Sequence, residues 1–512
     1  MGANRSCRSL TVAAALLAAA LPAFAQERPV VTGKDSDAIR VSTSGRVNLD
    51  MVYRAREITA YTDSVSNAST IGTPLDSASE NTFEGFAAVR LDVELSSKVS
   101  VAVEMGTKRI DGPPAGGSGI QRWGEAGAQQ IKLREAHVLI GELLAPQLSV
   151  EVGLTTWSFN LRGKGGALAF DPRHAQSIRR NLDLITDINS SEDGDAHLAL
   201  ASNSDELEPV GTTLAFTEGA LRVELVLLPA VIEEGALSAD ESLYALDLIW
   251  GLDGMGKGSR IGVIVAVANA LTILANSGTG NREGHTHIIT AGGGGFFGLF
   301  DGALEVYAEG YVQRGKSGER DASAGGGDVR AAGFTYQAGF EWHYLVGNPM
   351  PIWAGFNHFY VSGERHDGNN TRKTGRFAAY ESVNDLMIIE SQDLGFDWDS
   401  NIMGIKINAG TRFTAAQKDD LETTIIFGWT RTPQQVDADR HRHDLGKEVD
   451  LKAAWSLNKQ FVLKGALGVL WGSDLLKTAM DTDPITGTTT PGSNPRAETH
   501  TWLFTLGFDL NF

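Results

Sequence analysis

Hydrophobic and polar residues alternate along this chain with a period of two, the repeat of a strand and not the 3.6 of a helix. In AAVRLDVELS, Val89, Leu91, Val93 and Leu95 fall on one face and Arg90, Asp92 and Glu94 on the other. In KVSVAVEMGTK, Val99, Val101, Val103 and Met105 oppose Lys98, Ser100, Glu104 and Lys108. LRVELVLL sets Leu221, Val223, Leu225 and Leu227 against Arg222 and Glu224. EVDLKAAWSL sets Val449, Leu451, Ala453, Trp455 and Leu457 against Asp450 and Lys452. The last stretch obeys the same rule: Trp502, Phe504, Leu506, Phe508, Leu510 and Phe512 share one face, with Thr501, Thr505, Asp509 and Asn511 on the other.

Extended over the chain, the pattern predicts about eighteen strands, with edges good to a few residues. They lie near 41–56, 82–96, 98–110, 129–141, 147–157, 206–217, 220–232, 240–252, 258–271, 284–297, 301–315, 330–345, 350–363, 402–414, 419–433, 443–457, 460–473 and 497–512. The run IGVIVAVANALTILA at 261–275 is too short for a transmembrane helix, which needs about 20 residues. Its Val and Ile content and the NSGTGN turn that follows make it a strand with an apolar interior face.

The connections between these strands alternate in length. Tight ones such as SSK, ELLAPQ, TEGA, GLFD, VGNP and NK sit on one side. Long ones, among them 57–81, 111–128, 158–205, 364–401 and 474–496, sit on the other. This sorting is the mark of an up-and-down barrel, with turns at one rim and loops at the other. No backbone polar group can be left bare in lipid, so a sheet that spans must close on itself. The expected fold is therefore all-β: a transmembrane antiparallel barrel with both ends of the chain at the short-turn rim. Trp250, Trp429, Trp471 and Trp502 are expected in its interfacial girdles, and the inward face is expected to be polar.

Composition sharpens this. Glycine contributes 59 of 512 residues, which suits closely paired strands, bulges and turns. Residues 1–25 read as a signal peptide: Arg5 and Arg8, the apolar LTVAAALLAAALP, then AFA before Gln26. Residues 26–40 would be a short periplasmic segment and 41–512 a single barrel, located in a bacterial outer membrane after export. The one cysteine, Cys7, precedes the apolar core, so stability must come without disulfides. A net charge of −19 argues against a nucleic-acid partner.

Several segments resemble the alginate-export family of outer-membrane porins: VRLDVELSSKVSVAVEM, IKLREAHVLIGELLAPQLSVEVG, PMPIWAGFNHFYVSGE and RHDLGKEVDLKAAWSLNKQFVLKGALGVLWGSD. The resemblance touches roughly a quarter of the chain. It implies an eighteen-stranded barrel passing an acidic polysaccharide or oligosaccharide, and Arg90, Arg134 and Asp450 match its patterned positions. Leu154 stands where the family often has Arg, and His137 where it usually has Tyr.

A pore selects by the charges on its lumen and by the loops that narrow it. The predicted pore-lining residues are Arg54, Arg90, Asp92, Glu94, Arg134, Glu151, Arg222, Lys406, Arg412, Asp450 and Lys452. Their arginines could offer bidentate bonds to carboxylate, sulfate or phosphate; they could equally pair with the neighbouring acids and only stiffen the wall. The 158–205 loop carries Arg162, Lys164, Arg173, His174, Arg179 and Arg180. It could fold inward as a constriction, or stay outside against lipopolysaccharide. Phe512 resembles the terminal aromatic signal read by the barrel-assembly machinery. No G-x-S-x-G elbow is present, so no enzyme is expected, nor a cofactor or metal. The partners expected are membrane lipid, lipopolysaccharide, the assembly machinery and a hydrophilic solute. A structural or adhesive barrel without an open pore is the alternative.

Overall fold

Alternating residues with β-branched and aromatic side chains favour a pleated, half-buried sheet, and the computed structural model of the chain consists of one. It describes residues 39–58, 79–107, 131–154, 157–159, 161, 208–232, 240–274, 282–321, 327–344, 350–362, 373–374, 386–388, 402–414, 420–433, 444–458, 460–472 and 499–512. The strands are Arg40–Ile58 (β1), Ser79–Ser96 (β2), Val99–Thr107 (β3), Ile131–Ile140 (β4), Leu148–Leu154 (β5), Glu208–Glu218 (β6), Leu221–Ile232 (β7), Asp240–Gly251 (β8), Arg260–Leu274 (β9) and Arg282–Leu299 (β10). Next come Leu304–Asp321 (β11), Gly327–Ala331 (β12), Phe334–Tyr344 (β13), Ile352–Val361 (β14), Lys373–Thr374 (β15), Ile402–Thr414 (β16), Asp420–Arg431 (β17), Asp444–Ser456 (β18), Phe461–Gly472 (β19) and Thr499–Asn511 (β20).

Each wall strand pairs antiparallel with the next, and β20 returns to β1, from Asn511 opposite Arg46 to Thr499 opposite Ile58. That last ladder closes the sheet, so the wall is an eighteen-strand antiparallel barrel. β12 and β15 stand outside the count. They form a small addition at the long-loop rim, where β12 pairs antiparallel with β11 and parallel with β15.

The short-turn rim is built from local turn chemistry. The Ser96 hydroxyl accepts from the Lys98 and Val99 amides at 3.2 and 3.1 Å. The Asn458 side-chain oxygen accepts from the Gln460 and Phe461 amides, each at 2.8 Å. Gly219 takes a left-handed φ of 59° between β6 and β7, a conformation that costs glycine least.

The faces of a single closed sheet are distinguished by burial. Among the described residues nothing covers the outside, so their fully buried side chains point into the enclosure. Leu91, Val152, Leu246, Val263, Val265, Ile407, Ile425 and Leu451 are all exposed and all on the outward register. Leaving each in water would cost about 1.5–3 kcal/mol relative to burial, so this face is built for lipid. Trp429, Trp471 and Trp502 lie outward near the long-loop rim, and Trp250 outward near the short-turn rim, as girdles require.

Two expectations need correction. The fifth strand does not run to 157. It stops at Leu154, and the chain then leaves the wall. The inward face is also not polar throughout: Val226, Leu228, Ile264 and Ile288 point inward and are buried to 1% exposure or less. The reason for both is one packing arrangement, described next. The predicted signal peptide and all but the end of segment 26–40 lie outside the described residues.

Candidate functional site

Residues directly opposite in an antiparallel ladder share a face, so the registers trace rows of inner side chains around the barrel. One row runs Ser44, Arg90, Glu104, Glu135 across β1–β4. Glu104 and Glu135 face each other, a like-charge pair that would destabilise the sheet. Two arginines offset it. Arg46 donates to Glu104 at 2.6 Å, and Arg90 donates to Glu135. The Arg90 Nε also bonds both oxygens of Asp92, at 2.9 and 3.0 Å. His137 Nδ1 lies 3.2 Å from Glu135 on the same inner face. Lys464 meets Asp509 at 2.9 Å, and the Asn48 amide donates to Asp509 at 2.6 Å.

A second like-charge pair, Glu224 opposite Asp247 on β7 and β8, is handled differently. Arg222 binds Glu224 at 2.6 Å. Asp247 accepts the indole N–H of Trp157 at 2.8 Å. Trp157 belongs to the chain that left the wall after β5. It, Phe159 and Leu161 are all buried to 3% exposure or less, packed with the inner apolar residues of β7–β10. Arg260 donates to the Leu161 carbonyl. A methyl on Gly262 would come within 2.6 Å of Leu161, so the wall leaves space for this segment.

A second inward segment, Leu386–Ile388, docks on β17–β19. The amide of Met387 donates to Asp450 at 3.1 Å and that of Ile388 to Glu448 at 2.6 Å. Leu386 occupies the space over Gly428. The sheet thus uses inner carboxylates to satisfy groups brought in by the loops, and apolar contact to hold the rest. Between the two docks, β11–β14 carry a buried polar network. Tyr311 donates to Glu309 at 2.9 Å, Gln337 donates to Glu309, and Asn357 donates to the Tyr307 hydroxyl at 2.7 Å.

Solvent reaches a different part of the wall. On β19, β20, β1 and β2, the side chains of Lys464, Asp509, Arg46, Arg90 and Asp92 remain between 32% and 52% exposed. Nearer the short-turn rim, Arg222 and Arg412 are about half exposed, with Arg412 bonded to Asp420. On β8 and β18, by contrast, Asp247, Glu448 and Asp450 are buried.

Of the predicted lining residues, Arg90, Asp92, Glu94, Glu151, Arg222, Lys406, Arg412, Asp450 and Lys452 all occupy the inner register. Asp450 is buried under Met387 and does not meet solvent, and Lys406 lies buried with its ammonium 5.9 Å from the Phe359 ring centre. Arg54 stands opposite Leu503 and Glu80 in the ladders, and Arg134 sits in a bulge between β3 and β4; the side chains of both lie outside the described residues. So do Arg162, Lys164, Arg173, His174, Arg179 and Arg180. Arg46, Glu135, Trp157 and the 386–388 segment were missed. Trp157, Phe159 and Leu161 do continue the strand alternation beyond the wall, and LMI is an apolar triplet inside a long connection; these are the signals that could have found them. Glu305, Glu341 and His343 place three donor atoms within 4.8 Å of one another. They could hold a divalent cation, and His343 Nε2 at 3.0 Å from Glu341 also suits a plain ion pair.

No known protein family's sequence profile matches this chain, and no curated protein does. Solved structures resemble it in shape. Pseudomonas aeruginosa OpdK with vanillate aligns over 92% of this chain and 99% of its own, at a TM-score of 0.47 and 8% identity. Pseudomonas aeruginosa OccK5 (OpdH) aligns over 92% and 98%, at 0.44 and 10%. A BenF-like porin from Pseudomonas fluorescens Pf-5 aligns over 92% and 99%, at 0.44 and 12%. The assignment of the barrel rests on the strand pairing itself.

Proposed function

We propose that this chain is a porin of a bacterial outer membrane, passing a small hydrophilic solute by diffusion along the wall formed by β19, β20, β1 and β2. The observation that carries this is the asymmetry of the inner wall: the docked segments cover inner residues of β7–β10 and β17–β19, while solvent reaches a ladder of opposed charges that runs from Lys464, at the short-turn end of β19, through β20 to β1 and β2. An apolar outer face supports a membrane location, and the sorting of turns and loops supports the outer membrane of a bacterium, with the short turns in the periplasm. Arg46 and Arg90 are the groups a solute carboxylate would meet, since a planar guanidinium binds a carboxylate through two parallel bonds. Acidic neighbours on the same ladder keep the path from being a dedicated anion channel. An acidic sugar, the solute implied by the resemblance to alginate-export porins, fits this lining through its carboxylates.

Proteoliposome swelling tests the reading. Galacturonate and galactose should both enter, and Arg46→Ala with Arg90→Ala should slow galacturonate several-fold relative to galactose. Equal slowing of both sugars would mean that the arginines do not contact the carboxylate. Entry of neither into vesicles carrying the intact protein would favour a structural barrel.

A further inference from the structure

The inner face of β11 and β13 carries a donor cluster that solute passage does not use. Near the short-turn rim one register row runs Gly298, Glu305, Glu341, Gly355, Asn408 across β10, β11, β13, β14 and β16. It shares the inner face with the buried Tyr307, Glu309 and Gln337 of the same strands. Glu305 and Glu341 stand directly opposite each other, with a glycine on either side. His343, two residues past Glu341, projects to the same face. Its amide donates to the Ala303 carbonyl at 2.7 Å, which ties the end of β13 to the turn between β10 and β11. Local sequence patterns do not report this cluster, because Glu305 and Glu341 meet only through the ladder.

The three side chains converge. One donor atom from each lies within 4.8 Å of the other two. Two ligands on opposite sides of a zinc ion stand about 4.2 Å apart, from bond lengths of about 2.1 Å. Small side-chain rotations would therefore bring all three into one coordination sphere. His343 Nε2 lies 3.0 Å from Glu341 and 3.6 Å from Glu305. It is closed off from solvent and, among the described residues, makes no hydrogen bond. At 3.0 Å the fault is direction: the carboxylate is out of line with a ring N–H, and misaligned contacts weaken steeply. A nitrogen spent poorly on an ion pair is well placed as a ligand, and a neutral imidazole nitrogen is the commonest metal ligand of proteins. The surroundings leave room. Gly355 has no side chain, and Asn408 Oδ1 occupies the place its β-carbon would take, beside Glu341. The carboxylates remain 13% exposed and the imidazole 24%, so an ion and a water can reach the cluster from the lumen.

We propose that Glu305, Glu341 and His343 bind a divalent transition-metal ion of zinc's class at the short-turn rim. The imidazole sets the class: it suits zinc, whereas calcium takes about six to eight oxygen ligands. Three protein ligands leave a fourth position to water. The site lies apart from the wall that carries Arg46 and Arg90, and it stands whether or not the barrel conducts.

The test uses the full-length protein without a histidine tag, refolded in detergent and stripped with a chelator. Isothermal titration calorimetry with zinc chloride should show one saturable site per chain, and calcium chloride none of comparable affinity. X-ray absorption at the zinc edge should find a single imidazole together with oxygen ligands. His343→Ala and Glu341→Gln should each weaken binding at least about tenfold, a loss that even outer-shell changes bring, while heat-modifiable gel migration stays unchanged. His441→Ala with His443→Ala, which removes the two imidazoles of HRHD, should leave binding as it is. No saturable zinc binding by the intact protein overturns the proposal without needing any variant, and leaves Glu341 and His343 as a plain ion pair. Two imidazoles at the metal, or binding lost only in the 441/443 variant, overturns the choice of residues. Calcium bound as tightly as zinc overturns the class of metal.

Discussion

The ring of Phe512 lies against Gly45, in the space a β-carbon there would need, with two of its ring carbons 2.5 Å from that position. The same two residues exchange backbone hydrogen bonds, at 2.7 Å from Gly45 and 2.9 Å from Phe512. An aromatic side chain laid over a cross-strand glycine covers exposed backbone and pins register. Here it does so at the seam where β20 meets β1. Gly45→Val should displace the ring, and Phe512→Ala should remove it. Each should lower stability by about 1–3 kcal/mol, read as an earlier urea midpoint for the loss of heat-modifiable migration. An unchanged midpoint in both variants would mean the contact contributes nothing to closure.

The Trp157 indole N–H ties the first inward segment to Asp247 on the wall. Trp157→Phe keeps an aromatic ring and removes the N–H that Asp247 accepts. Leaving a buried acceptor without its donor costs about 1–3 kcal/mol, enough to shift the segment toward undocked forms. Single-channel recordings should show larger or noisier currents than the intact protein. Identical current and noise would place the segment outside the conducting path.

The second segment depends on empty space as much as on bonds. Gly428→Val would occupy the volume now filled by Leu386, whose side chain comes within 2.6 Å of a β-carbon at that position. Forcing extra carbons into a packed site typically costs about 1–3 kcal/mol. The expected outcome is an undocked 386–388 segment, detected as new protease cleavage there with the barrel still resistant. Cleavage no faster than in the intact protein would contradict the docking.

Arg90 holds two carboxylates. Arg90→Ala would leave Asp92 and Glu135 without the cation between them, making the path more negative. The reversal potential in a KCl gradient should move toward potassium. Arg90 and Asp92 are each about a third exposed, so the loss of stability should be small, about 1 kcal/mol, and the shift can be read in refolded barrels. A potential that stays put would mean ions do not pass this ladder.

Much of this architecture is legible in the sequence. Alternation places the wall strands to within a few residues, because a face in lipid tolerates only apolar side chains and the pleat enforces a period of two. Loop parity places both rims for the same reason: every pair of crossings returns to one side. The inside is less legible. Val226, Leu228 and Ile264 alternate as strictly as their lipid-facing neighbours, so a fully apolar stretch such as 261–268 does not say what covers its inner face. That depends on Trp157, Phe159 and Leu161, more than sixty residues upstream of Val226 and tied to it only by packing. Arg46 escaped notice because its value comes from Glu104, two strands away, which no local pattern reports.

A water-filled path should follow the charged wall inside a partly filled barrel. Single-channel conductance in a planar bilayer reads that path. The expected record is discrete openings, smaller than a barrel with this many strands would give if its lumen were empty, and larger once Trp157→Phe or Gly428→Val has loosened a docked segment. A protein that inserts, resists protease and passes no current, with or without those substitutions, would contradict it.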